Sequence, residues 1–471
     1  MSTSPSPNKA FWRALVLVIG GLSVGILGLA LLVTTSGPRV RHVAVQNQTG
    51  DRISSVGQGL TVVFDRPIEG TDFEGAIEFE PEADYTVSHR QGQLSITFDQ
   101  NLLSNTEYVL TIKPEIEDAL GRRMEGEYGY EFTTEEPSFT YLERNYGRGA
   151  VDRIVWRAPL SGESQALFGE DRIKNFARNA RYLAVVVPRR DSTDELRVVD
   201  LATLEERLVD IPSNVRVDNL SFSPTDNQFV FVTRVIRVET DESDSDVFDD
   251  SNKLYRYDID GEQLQPVDTL SSNRGNVESA LYSRDGQALL FKTLDGTYYL
   301  TGAIQTTEPT LVGIYQGSGG FDRTNTKLVF QFGTGATIYD AQAKETQELS
   351  QIGTGGRISA PTFLHNSDEL IYLWDPLNEK EGTTTQVYVA SADGNEEESV
   401  VDSQPLERFL DYPVISYDDR YVLVEAASES SDLDDYVGNR QPEDTRLVLY
   451  DRFDGKVIDS ETHGIDPVWN R

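Results

Sequence analysis

The stretch FSPTDNQFVFVT (222–233) sets an aromatic residue before a polar turn and a short apolar strand after it. Working outward, the same order returns as FARNARYLAVVV (176–187), YSRDGQALLFKT (282–293), FDRTNTKLVFQF (321–332) and FLHNSDELIYLW (363–374). A sixth copy, ISYDDRYVLVEA (415–426), has an aliphatic leader. Starts spaced about 40 to 60 residues apart mark units built of several short strands. One such unit cannot bury its own apolar face, so neighbours must stack. The period and the strand content predict a β-propeller.

Each copy is followed by a further strand: LRVVD (196–200), LYRYD (254–258), TYYL (297–300), ATIYD (336–340), QVYVA (386–390) and RLVLYD (446–451). Shorter fourth strands follow, as at Arg207–Val209 and Ser399–Val401. Near the C-terminus DPVWN (466–470) repeats the turn signal, and three unpaired strands, FTYLERN (139–145), RIVWR (153–157) and QALF (165–168), precede the first copy. One unit made of the last strand and these three closes a ring of seven and leaves no free sheet edge. Six or eight units also fit the spacing.

The chain carries 78 Asp and Glu against 42 Lys and Arg, a formal net charge of −36. Such a field repels nucleic acid and favours basic partners or solubility. With no cysteine, disulfides, thiolate metal sites and cysteine nucleophiles are excluded. Between Arg13 and Arg39 there is no charged residue, and ALVLVIGGLSVGILGLALLV (14–33) is continuously apolar. That run predicts one transmembrane helix. Lys9 and Arg13 before it and Arg39 and Arg41 after it nearly balance, with a slight preference for an inside N-terminus. Cleavage near TTSG (34–37), giving a secreted protein, is the alternative.

From Val40 to Thr134 apolar residues alternate: Val43 and Val45; Leu60, Val62 and Phe64; Ile77 and Phe79; Leu94, Ile96 and Phe98; Tyr108, Leu110 and Ile112; Tyr128, Tyr130 and Phe132. Short half-buried strands separated by Gly and Pro turns predict an Ig-like β-sandwich. Phe64 to Pro67 (F-x-x-P), Leu102 to Ile112 (L-x-x-x-T-x-Y-x-L-x-I), Asp118 to Gly121 (D-x-x-G) and Phe132 to Thr134 (F-T-T) resemble the bacterial Ig-like domain of S-layer proteins. The resemblance implies a spacer or adhesive module without catalytic residues. Tyr108 is expected at a corner, its hydroxyl bonded to nearby backbone. In the repeats, Phe222-Ser-Pro-Thr-Asp and Tyr282-Ser-Arg-Asp-Gly resemble the TolB-type motif W-S-P-D-G, eroded at 321, 363 and 415. Their Asp, Asn and Gly residues are expected to close turns.

Insertions between second and third strands fall at 239–252, 375–385 and 428–445. Arg216, Arg274, Arg357 and Arg408 sit in the connections that lead into four of the repeats. If these line the channel mouth, their guanidinium groups form a basic throat for carboxylates or phosphates; surface pairing with Asp and Glu is the plainer reading. Asp244, Asp246, Asp249 and Asp250 offer oxygen ligands for Ca²⁺ but not the spacing of a twelve-residue calcium loop. His42, His89, His365 and His463 form no zinc motif, although His365 and His463 are candidates to share a mouth. No cofactor and no catalytic residue are expected.

The chain is thus read as all-β, an Ig-like β-sandwich plus a seven-bladed β-propeller behind one N-terminal transmembrane helix. Residues 1–13 form a cytoplasmic tail, 14–34 the helix, 39–136 the sandwich and 138–471 the propeller. The expected function is binding: a bacterial cell-envelope scaffold that shows the propeller to a protein or glycan, the acidic charge favouring a basic one. The competing classes are a lyase-like polysaccharide enzyme and a structural surface-layer protein.

Overall fold

Strands Gln228–Val235 and Tyr421–Ser428 carry unbroken apolar runs at 229–232 and 421–424, a pattern satisfied only when both faces of a strand are covered. A computed structural model shows what covers them. It describes residues 9–45, 52–57, 59–70, 73–146, 150–236, 252–267, 269, 277–303, 308–349, 352–377, 384–404, 407–410, 413–434 and 441–470. The chain divides into two compact units, Met1–Glu135 and Glu136–Arg471.

In the second unit the described residues form seven sheets, each with a path of four strands, and one of them carries the extra short strand Val414–Ile415. Six sheets take their strands in chain order. The seventh is built from both ends: Glu163–Glu170, Asp152–Ala158, Phe139–Glu143 and, on the other side of it, Ile465–Trp469. Phe139 stands opposite Trp469 and Leu142 opposite Ile465 in an antiparallel ladder.

Each pair of adjacent sheets encloses its own apolar cluster. Tyr182, Ala184 and Val186 point to Phe229 and Phe231 of the following sheet. Leu183, Val185 and Val187, one residue out of phase on the same strand, point back to Ile154 and Phe168. The two-residue side-chain period puts one strand into two cores at once, which is why it reads as an unbroken apolar run. The remaining clusters join the other neighbours, and the last, with Phe139, Tyr421, Leu423 and Trp469, ties the final sheet to the shared one. The circuit is closed and propeller-like.

In the first unit the described residues form two four-stranded sheets and a two-stranded ribbon. Their facing residues, among them Leu60, Val62, Leu94, Ile96, Leu110 and Ile112, make one core. The Leu103 amide donates to the Tyr108 hydroxyl at 3.0 Å, the expected corner bond. Thr134 fixes the same corner, its hydroxyl donating to Leu103 O at 2.6 Å and accepting from the Thr106 amide at 2.9 Å. Asp118 closes the D-x-x-G turn, accepting from the Leu120 amide at 2.9 Å and from Arg122 Nη2 at 2.6 Å. Strand Tyr85–Arg90, which sequence pattern did not mark, lies at a sheet edge with most side chains exposed.

A helix spans Lys9–Thr35. Among the described residues no helix is long and apolar enough to cross a membrane. The expected crossing at 14–34 is therefore not supported among the described residues.

Candidate functional site

Antiparallel order within each sheet places first-to-second and third-to-fourth turns at one end of the ring. Second-to-third loops and the connections between sheets lie at the other end. The first-to-second turns carry the repeat motif, and its polar residues close them. Asn179 Oδ1 accepts from the Arg181 and Tyr182 amides at 2.9 and 2.7 Å. Asp322 Oδ1 accepts from the Thr326 and Lys327 amides, both at 2.8 Å. Gly286 has φ +70°, a left-handed conformation that glycine adopts without steric penalty. These residues are structural, as the sequence pattern implies.

At this turn end a cavity of about 190 Å³ opens among the innermost strands. Five sheets contribute walls, through Arg178, Ser221, Phe222, Arg284, Tyr417 and Trp469. The two arginines differ in how they are held. Arg284 reaches across the opening, donating from Nη1 to Leu364 O at 2.9 Å and from Nη2 to Phe363 O at 2.8 Å. Arg178 donates from Nε to Asn179 O at 3.1 Å and from Nη1 to Thr140 Oγ1 at 2.7 Å. Among the described residues no carboxylate pairs with it, and burial lowers its pKa to about 10.

Beside the cavity lies Asp419, buried, with its carboxylate accepting from the His365 and Asn366 amides at 2.7 Å each. Burial pushes this carboxyl up to about 6, while the two amide bonds and the Arg284 and Arg452 charges pull the other way. The His365 ring packs on Tyr417 with centroids 4.8 Å apart.

Three of the arginines expected to line a throat occupy the opposite end of the innermost strands. Arg216 and Arg357 are second residues of Val215–Phe222 and Gly356–Phe363, and Arg408 lies on Glu407–Phe409. Arg216 donates to Ser192 O at 3.1 Å, and exposed Arg357 stands 3.5 Å from Asp375. Arg274 lies outside the described residues, as do Asp244, Asp246, Asp249 and Asp250. His463 ends strand Lys456–His463 opposite Arg446, at the loop end of the ring, whereas His365 sits in a turn at the other end, so the two share no mouth. Among the described residues no three His, Cys, Asp or Glu side chains are grouped for a metal.

Sequence reading missed Arg178 and Arg284. Both stand inside the repeat motif, in FARNA and YSRDG, and their position in the turn was the available signal.

Residues 34–134 match the family model described as a bacterial Ig-like domain. No curated protein matches the chain in sequence. Among solved structures, TolB from Acinetobacter baumannii is similar at 12% identity, over 70% of this chain and 80% of that one, with a TM-score of 0.40. Oligogalacturonate lyase in complex with manganese is similar at 12% identity, over 68% and 83%, with a TM-score of 0.44. A prolyl endopeptidase shares 12% identity over 68% of this chain with a TM-score of 0.49, and the matched region spans 49% of its length.

Proposed function

We propose that this chain is a membrane-anchored, extracytoplasmic binding protein that presents a seven-bladed β-propeller to a protein or glycan partner. The observation that carries the reading is the convergence of side chains from five sheets on one opening at the turn end of the ring. Binding groups gathered from separate elements of a rigid scaffold are the usual construction of a recognition site. The anchor rests on the uncharged run 14–33 and on the exposed apolar side chains of the helix, among them Trp12, Leu17, Leu22 and Val24. Unburied apolar surface of that kind calls for lipid or protein cover.

The test is photo-crosslinking in living cells from Leu281, an exposed residue of the mouth, against Val457 on an outer strand. Capture of one partner from Leu281 alone supports the reading, and equal capture from both positions overturns it. Protease digestion of intact cells checks the side of the membrane.

A second reading, a lyase-like enzyme for acidic polysaccharide, is favoured by one observation: the buried Asp419 carboxyl beside the mouth, held by two backbone amides and pushed up by burial to about 6. Turnover of polyuronate by the purified chain, lost in Asp419→Asn, would replace binding by catalysis.

A further inference from the structure

We infer that the mouth receives a single carboxylate of a peptide partner, clasped by Arg178. The inference rests on the binding role proposed above and names the group that is bound.

A guanidinium cannot shed its proton near neutral pH, so one partly withdrawn from water, as half-buried Arg178 is, gains from a counter-charge. Arg178 has none among the described residues. Its Nε and Nη1 are committed to neutral oxygens of Asn179 and Thr140, and Nη2 has no partner there. Ser221 accepts the Tyr282 amide at 3.4 Å, and its own proton is uncommitted. The two N–H bonds of Nη2 and one free O–H thus belong to residues that border a cavity of about 190 Å³. Arg284 is a poorer candidate, because both its terminal nitrogens hold backbone carbonyls and its charge faces Asp419.

The charge count selects the class of ligand. One uncompensated guanidinium matches a monoanion, and its planar fork matches a carboxylate. Size selects the carrier. At roughly 30 Å³ per water the cavity has room for about six waters, enough for a glutamate side chain or a terminal residue. It falls below the range of roughly 300 Å³ and more that encloses larger ligands, so an oligosaccharide would lie across the opening and not inside it. Phe222 and Trp469 in the wall supply apolar cover for the methylene stem.

The positioning of Arg178 comes from the closing seam. Thr140, which accepts from Nη1, is fully buried and donates to Asn470 Oδ1 at 2.8 Å. Asn470 is tied in turn to Ser138 through Nδ2 at 2.9 Å. The ring must therefore be closed before the clasp is set.

The test is titration of the full-length chain in detergent with four probes, read by tryptophan emission and by calorimetry. The probes are acetyl-Gly-Glu-Gly-amide, acetyl-Gly-Gly-Gly with a free carboxylate, acetyl-Gly-Gln-Gly-amide and galacturonate. At least tenfold tighter binding of one acidic peptide than of the Gln peptide supports the inference, and the tighter one identifies side chain or terminus as the source. Arg178→Gln should lose that tenfold and melt no lower than wild type, since it removes a half-buried charge that has no counter-charge among the described residues. Should it fail to fold, Arg178→Lys keeps the charge without the fork and should weaken the acidic peptide about tenfold. Equal binding of the acidic and Gln peptides, undiminished binding by the variant that folds, or binding of galacturonate alone overturns the inference. A partner captured from Leu281 in cells that the acidic peptides do not displace would overturn the carboxylate and leave the binding role standing.

Discussion

Thr140 and Asn470 meet across the seam of the ring, the hydroxyl of one donating to Oδ1 of the other at 2.8 Å. The same hydroxyl accepts from Arg178 at 2.7 Å, so the join between the two ends of the ring and the wall of the cavity share one oxygen. Thr140→Val keeps the shape and removes that oxygen. The change should cost about 1–3 kcal/mol, because the Arg178 donor and the Asn470 acceptor both lose a buried partner. Urea unfolding of the two proteins measures it.

Trp469 supports the seam differently. Its ring meets Phe139 edge-on at 5.7 Å, and its Nε1 donates to Val414 O at 2.9 Å. Trp469→Ala should lower stability by about 3–5 kcal/mol. Phe453→Ala, an exposed aromatic elsewhere in the ring, should change it by less than about 0.5 kcal/mol. Similar losses in both would mean that the seam contributes nothing special.

The last insertion is fastened to the seam region by a buried ion pair, Arg144 Nη1 to Asp434 at 2.6 Å. Asp434→Ala removes the carboxylate from the buried pair and should cost about 3–5 kcal/mol. Replacing both, Arg144→Met with Asp434→Leu, should recover most of that loss, since the pair itself gains little over apolar packing. A double variant as unstable as the single one would contradict this.

Asp419 gives stability an unusual pH dependence. Its folded-state pKa of about 6 lies above the ordinary 3.8, so the folded chain holds this proton more tightly than the unfolded chain. The contribution is complete below about pH 4 and is lost as pH rises through about 6, up to about 3 kcal/mol. Asp419→Asn should therefore gain on wild type between pH 4 and 7 in paired denaturation curves. Parallel curves would show the group to be unshifted. Asp118 behaves in the opposite sense. Hydrogen bonds from Arg122 hold it at about 2, and its contribution fades as pH falls below the ordinary carboxylate range.

In the first unit Tyr108→Phe removes only the oxygen that receives the Leu103 amide. The expected loss is about 1–3 kcal/mol, seen as a lower unfolding midpoint for this unit with the second unit's transition unchanged.

Most of the fold was legible because burial writes itself into spacing. Strand Tyr182–Pro188 serves two cores and so is apolar throughout, while Leu60, Val62 and Phe64 serve one and so alternate. The shared sheet was legible from its surplus: strands at 139–168 had no partner in the repeat, and the segment at Trp469 had none either. Edge strand Tyr85–Arg90 left no trace, since it packs few apolar residues. The cavity was hidden for another reason. Arg178 and Arg284 are local turn residues in sequence, and only closure of the ring brings residues more than a hundred positions apart to one opening. Arg216 and Arg357 precede the repeat motif by several residues and so start the innermost strands instead of ending them.

The ladder between Phe139–Glu143 and Ile465–Trp469 also fixes when the protein can finish folding. While the chain is still being synthesised, the innermost strand of that sheet does not yet exist, and two inter-sheet cores lack a wall. Six sheets can form in turn as they leave the ribosome, but they form an open arc with an exposed edge at each end. Closure waits for Ile465–Trp469, so a chaperone that shields strand edges would act longest on Phe139–Glu143, whose partner is made more than three hundred residues later.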